Sequence, residues 1–162
     1  MELTTTKYKQ TEVALIPKDW KKESLGEIID VLTDFTANGS FASLAQNVEY
    51  LDKPSHARLV RLTDIRVKFK NNGIYISKDA YNFLSKSKLF GNELLLANVG
   101  AYTGYSFLYP EGLPFRGSLG PNMFLIKFKE RIVDPLFVFY CFDNYTILNQ
   151  LLTKAASSAQ PK

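Results

Sequence analysis

In the stretch ARLVRLTDIRVKF, residues 57–69, apolar and polar positions alternate, and that period of two predicts a β-strand. Asn71, Asn72 and Gly73 then read as a hairpin turn, with IYI at 74–76 as the returning strand. Apolar runs bounded by turn residues predict further strands at 94–99, 105–109 and 123–128. Helical signals are of a different kind. Ser24 and Glu27 have capping-box spacing, which predicts a short helix with Ile28 and Ile29 turned inward. Glu23, Glu27, Asp30 and Asp34 fall opposite those apolar residues and read as the solvated face of that helix. Ser77 is placed to cap a helix through KDAYNFLSKSK. Asp134 caps, and Pro135 suits the first turn of, a long final helix whose Leu136, Phe139, Tyr140, Ile147 and Leu151 face the core. ANGS at 37–40 is a turn, and Trp20 in IPKDW is a core anchor. Together these elements predict an α+β domain: a curved, mostly antiparallel β-sheet braced by a C-terminal helix, without internal repeats. Residues 1–12 are polar and read as a flexible arm, 13–157 as the domain, and 158–162 as the start of a linker.

Composition narrows the class. A chain of 162 residues, 46% of them hydrophobic, is large enough for one domain with a real core. No apolar run has the length to span a bilayer, and MELTTTKYKQ lacks the build of a signal peptide. One cysteine permits no internal disulfide, so the expected compartment is the cytoplasm. Cys141 lies in an apolar helix and reads as a packing residue. The net charge of +4 is unevenly placed: residues 53–88 carry nine Lys or Arg against only Asp64 and Asp79. Such a segment fits a directed contact with a polyanion, or equally a solvated charged face.

Catalytic signatures are missing. GAYTGYS has the wrong glycine spacing for a P-loop and lacks its lysine, and GNELLLANVG is not a dinucleotide fingerprint. There is no G-x-S-x-G nucleophile elbow. His56, the single histidine, sits beside Pro54 and Ser55 in a polar loop, and with one cysteine it builds neither a zinc site nor a triad. An adenine methyltransferase loop requires Pro-Pro, which the chain lacks, and Glu130 in FKERI has no further acids at nuclease spacing. These readings point to a binding module that needs no cofactor and no metal.

Four segments occur in one order: TEVALIPKDWKKESLGEI, RLTDI at 61–65, ISKDAYNFLSKSKLFGNELLLANVGAYTGYSFLYP, and SSAQPK at the end. Over nearly the whole chain this resembles the N-terminal target recognition domain of the DNA specificity (S) subunit of a Type I restriction-modification system. In that family the S subunit holds two such domains, each followed by a long helix, and each domain reads one half of a split duplex-DNA target. Methylation and cleavage belong to the methyltransferase (M) and restriction (R) subunits. The resemblance therefore implies a non-catalytic module with double-stranded DNA and the M and R subunits as partners, and no membrane. The chain stops at Gln160-Pro161-Lys162, where the family's spacer helix begins, so it corresponds to half of such a subunit.

Within that resemblance, Gly100 and Gly104 let the backbone turn sharply between two strands. Tyr102 and Tyr105 are then either held at the DNA face or used to finish the core. Lys68, Lys70, Lys78 and Lys86 suit phosphates, while Arg58, Arg61 and Arg116 suit base edges, because a guanidinium grips guanine with two bonds. Asn38, Ser40, Ser118 and Asn122 sit in predicted turns where short polar groups reach adenine or phosphate, although such residues are also ordinary turn formers. Arg66 reads as a surface charge. Two further readings stay open: a general single-stranded nucleic-acid binder, and a protein-interaction domain with an incidental basic segment.

Overall fold

The computed structural model describes residues 7–158. The remaining parts of the expected arm (1–6) and linker (159–162) lie outside them. The chain forms β1 (Tyr8–Gln10), β2 (Leu15–Pro17), α1 (Leu25–Ile28), β3 (Ile29–Asp34), α2 (Phe41–Asn47), β4 (Ala57–Val60), α3 (Leu62–Arg66), β5 (Ile74–Ile76), α4 (Lys78–Phe83), β6 (Lys88–Leu89), β7 (Leu94–Ala97), β8 (Ser106–Leu108), β9 (Gly117–Leu119), β10 (Met123–Phe128), α5 (Pro135–Phe142) and α6 (Tyr145–Ser158). Short 3-10 turns lie at Phe35–Asn38, Ser85–Ser87 and Gly100–Tyr102.

The expected α+β class holds, but the strands divide into separate sheets. One is antiparallel, in the order β3-β10-β7-β8; the other runs β5-β4-β9-β6 with β4 and β9 parallel; β1, from residues expected in the arm, pairs with β2 in a small hairpin. Strand alternation explains the layering. On β4, Ala57 and Leu59 face a core shared with Leu44 of α2 and Ala80 of α4, while Val60 faces Leu95, Leu119, Met123 and Leu125 between the two large sheets. On the far side of the β7–β10 pair, Leu94, Leu96, Ile126 and Phe128 pack against Val138 and Phe142 of α5. β7 is covered on both faces, which is why LLLA is continuously apolar.

Several local expectations hold. The Glu27 carboxylate accepts from the Ser24 backbone N–H and hydroxyl, both at 2.9 Å, and α1 turns Ile28 inward. Ser77 accepts from the Ala80 N–H at the start of α4, and Asp134 accepts from the Leu136 N–H with Pro135 in the first turn of α5.

Others are corrected. Residues 57–69 are not one strand: β4 ends at Val60, and Leu62, Ile65 and Phe69 use helical spacing to enter the inter-sheet core. β4 and β5 do pair antiparallel, but through the long connection 61–73 rather than a tight turn. α1 ends after one turn, so Asp30 and Asp34 lie on a strand rather than on its polar face. The final helix is broken at Asp143 and Asn144, where the Asn144 side chain accepts from the Thr146 N–H and starts α6 afresh. Val138 and Phe142 are its buried residues, while Leu136 and Tyr140 are exposed. Trp20 is 46% exposed and meets Phe137 edge-on at 5.4 Å instead of anchoring the core. α2, for which no element was expected, and β9, where Ser118 was placed in a turn, are regular elements, with Ser40 capping α2.

Candidate nucleic-acid interface

β4 and β9 run in parallel and end side by side at Val60 and Leu119. β7 ends at Ala97 beside the first residue of β10, and β8 begins next to β7. The connections 61–73, 98–105 and 120–122 therefore leave the two sheets at neighbouring strand ends, and three contacts tie them together. The Gly120 N–H donates to the Val60 carbonyl at 2.8 Å. The Asn98 N–H donates to the Asn122 carbonyl at 3.2 Å. The Arg66 guanidinium lies over the Tyr102 ring, 4.2 Å from its centroid. Arg61, Arg66, Lys68, Lys70, Tyr102, Tyr105 and Asn122 all belong to these connections.

The 61–73 connection is built around one carboxylate. Asp64 is fully buried and accepts five hydrogen bonds. Its Oδ2 takes the Arg61 backbone N–H at 2.9 Å and Arg61 Nε at 3.0 Å; its Oδ1 takes Asn71 Nδ2 at 2.7 Å, Arg58 Nη2 at 3.1 Å and Arg61 Nη2 at 3.3 Å. Burial opposes the charge on Asp64, but the donors from Arg61, Asn71 and Arg58 outweigh it and hold the carboxyl below the usual aspartate range. Arg58 also donates to Asn71 Oδ1 at 2.6 Å and lies within cation–π distance of Phe69 and Phe115.

Backbone conformation exploits this anchor. Lys68 and Phe69 both take left-handed φ, 51° and 59°, which is costly for residues with side chains. The result sends Phe69 into the core against Phe107, Tyr109 and Phe115 and leaves Lys68 and Lys70 in solvent. At Gly73, with φ 71°, a Cβ would sit 2.5 Å from Arg58 Nε. Gly73→Ala is therefore expected to destabilise the domain by roughly 1–3 kcal/mol. A melting temperature equal to that of the wild type would show that the loop does not close on Arg58.

In the 98–105 connection Gly100 and Gly104 take φ of 75° and 90°, the sharp turn expected of them. Tyr102 and Tyr105 are 41% and 43% exposed, so neither completes the core. The structure does not bring the other expected contact residues here. Arg58 is 3% exposed and Ser118 fully buried, so both are corrected to internal roles: Arg58 neutralises Asp64, and the Ser118 hydroxyl is directed at the Ser87 carbonyl. Asn38 bridges the 3-10 turns, donating to Ser87 Oγ and accepting from the Lys86 N–H, while Lys86 Nζ donates to the Ala37 carbonyl. Lys78 follows β5 and Arg116 precedes β9, which places both at the opposite end of their sheet from the 61–73 connection. The basic segment is thus split by the fold.

Arg66, Asp64 and Asn71 were missed. Their spacing carries no signal for the Tyr102 pairing, and Asp64 takes N3 of a short helix, three residues after Arg61, where a strand was expected. No cluster of three or more metal-binding side chains occurs among the described residues, and no described helix is long and apolar enough to cross a membrane. A cavity of about 800 Å³ lies at the other end of the β3–β10–β7 sheet. Its buried carboxylate, Glu93, is already bonded to the Phe90 and Gly91 N–H groups and faces Lys127 at 3.8 Å, which leaves it little to offer a ligand.

A scan against protein-family models finds no match. Among curated proteins, a Methanocaldococcus jannaschii protein named as a type I restriction enzyme specificity subunit (MjaX) is 24% identical over 135 residues, which is 82% of this chain and 30% of that protein. The chain thus spans less than a third of the length of the relative it matches. The likeness read from the ordered segments and the likeness found by comparison agree: over most of its length the chain is similar to a type I restriction specificity subunit.

Proposed function

We propose that this chain is a non-catalytic, sequence-specific duplex-DNA recognition module, with residues 13–157 reading one half of a bipartite target within a type I restriction-modification complex. The methyltransferase and restriction subunits would supply the chemistry. The observation that carries this reading is the convergence of Arg61, Arg66, Lys68 and Lys70 with Tyr102 on joined connections at one end of the two sheets. Lysines on a mobile stem place phosphates, and guanidinium groups and tyrosines beside them read edges and sugars.

A single-strand binder needs free aromatic faces for stacking. Arg66 covers one face of the Tyr102 ring, while Tyr105 on the same connection stays exposed, so the aromatic residues alone do not separate the two readings. Competition settles the choice: unlabelled duplex is expected to displace a bound duplex probe far better than single strands of the same sequence. Equal displacement by single strands would overturn the duplex assignment. The purified chain is also expected to show no turnover with S-adenosylmethionine or ATP, since no constellation for either reaction is present. Activity that persists through repurification and tracks with the protein would refute the non-catalytic reading.

A further inference from the structure

The far end of the β5-β4-β9-β6 sheet gathers positive charge around one buried tyrosine, Tyr81 of α4, which is 8% exposed. The His56 ring, just before β4, meets the Tyr81 ring at 5.4 Å between centroids, and Lys88 Nζ of β6 lies 4.5 Å from the same centroid. Strand register explains the meeting. Lys88 pairs with Ser118 and Ser118 with Leu59, which faces α4, so Lys88 stands on the α4 side of the sheet; Arg116, two residues before Ser118, shares that side. The Arg58 N–H donates to the Arg116 carbonyl at 2.8 Å and holds the backbone there. Burial pushes the Tyr81 phenol up and the Arg116 charge pulls it back, which puts the guanidinium within electrostatic reach of the hydroxyl. Next in the chain, Gly117 approaches the buried Tyr109 hydroxyl so closely that a Cβ would collide with it, and that hydroxyl has no hydrogen-bond partner among the described residues. Among the described residues neither Lys88 nor Arg116 forms an ion pair, and Asp79, the acid in the first turn of α4, pairs with neither.

We propose that Tyr81, Lys88 and Arg116, with His56 beside them, form an oxyanion-binding site that takes a phosphate group. Two arguments favour that ligand. Like charges held around one side chain repel each other, a cost that a bound anion offsets. The donors also come from separate elements: an ammonium over the ring, a guanidinium and a phenol beside it. A phosphate carries three strong acceptor oxygens pointing apart, which such a set can meet together, whereas a carboxylate offers two in one plane. Tyr81 and Lys88 lie within one of the segments that carry the family likeness, which suits a contact indifferent to base sequence. β4 is four residues long, about 13 Å, so a polyanion docked at the 61–73 end extends readily to this one. A nucleic-acid backbone and a free phosphate present the same group, and the experiment separates them. The site itself does not rest on the duplex-recognition reading.

The test follows backbone amide resonances of the purified chain during titration with inorganic phosphate at constant ionic strength, with chloride as the control. Saturable shifts are expected at Tyr81, Lys88 and the Arg116–Gly117 peptide, and none at Lys68 or Lys70. Arg116→Gln should weaken phosphate binding roughly 10-fold, the worth of one charge-assisted hydrogen bond. Tyr81→Phe keeps the ring and every charge, and should weaken binding as well because the hydroxyl donor is gone. Should Tyr81→Phe fail to fold, Lys88→Gln at the half-buried β6 position takes its place, with the same loss expected. Added duplex distinguishes the sources: it raises the apparent phosphate Kd where the nucleic-acid backbone fills the site, and leaves it unchanged where free phosphate does. Either result supports the site. Shifts that never saturate, shifts that chloride reproduces, or an unchanged affinity in Arg116→Gln, in Tyr81→Phe or in its Lys88→Gln replacement would overturn it. Absence of any duplex binding by the wild type would refute the duplex reading and leave this site to be judged by the phosphate titration alone.

Discussion

Asp64→Ala is expected to cost the domain about 3–5 kcal/mol, the penalty for leaving a buried partner charge uncompensated. Arg58 is 3% exposed, and removal of Asp64 strips its carboxylate partner while Arg61, its backbone N–H and Asn71 lose theirs. In a domain of this size each kcal/mol lowers the melting temperature by roughly 2–4 °C. The effect should be smaller in a double variant, Arg58→Met with Asp64→Leu, because no buried charge is then stranded and Arg61, 34% exposed, can be solvated. Chemical denaturation of the three proteins measures both differences. Equal losses in the single and double variants would show that the ion pair is not what stabilises the 61–73 connection.

The same carboxylate sets a pH dependence. Its pKa in the fold is held below the ordinary aspartate value of about 3.9, so its stabilisation is complete above that pH and is lost as pH falls through the folded value. Below about pH 4 the wild type should therefore lose stability faster than Asp64→Asn, and the two should converge.

Charge reversal of Lys68 and Lys70 together is expected to weaken duplex binding for all sequences alike. Both side chains are exposed, and Phe69 between them is locked into the core, so the pair is presented without being part of the packing. Loss of two phosphate contacts should flatten the log–log salt dependence by about two units, with the deficit largest at low salt. The melting temperature should hardly move, which separates this variant from Asp64→Ala. An unaltered affinity at low salt would mean that the end carrying the 61–73 connection does not dock on DNA.

The elements legible in the residues were those governed by neighbours within a turn. Ser24 with Glu27, Ser77, and Asp134 with Pro135 each satisfy orphan N–H groups at a helix start, a purely local bargain, and all three helices begin there. The apolar runs at β7 and β10 needed only burial on one or both faces, which any compact arrangement provides. The overall likeness to a type I specificity subunit was also carried by the order of segments along the chain. The helix α3 was not legible, because ARLVRLTDIRVKF satisfies the strand and helix periods about equally, and a buried arginine before it tips the balance only once a carboxylate can reach it.

The site followed the same division. The chain alone raised the expectation of a basic and aromatic DNA-binding module, and the sharp turn at Gly100 and Gly104 around Tyr102 was legible in it. Tertiary structure decided that Arg58 and Ser118 go inside, that Arg66 joins Tyr102, and that Lys78 and Arg116 leave for the other end of the sheet. The physical reason is that a charge on a strand has no fixed side until the strand is paired. Once β4 lies parallel to β9, Arg58 points between two sheets, where it is tolerated only because Asp64, Asn71 and two aromatic rings surround it, whereas the Arg61 side chain, just beyond the strand end, stays 34% exposed.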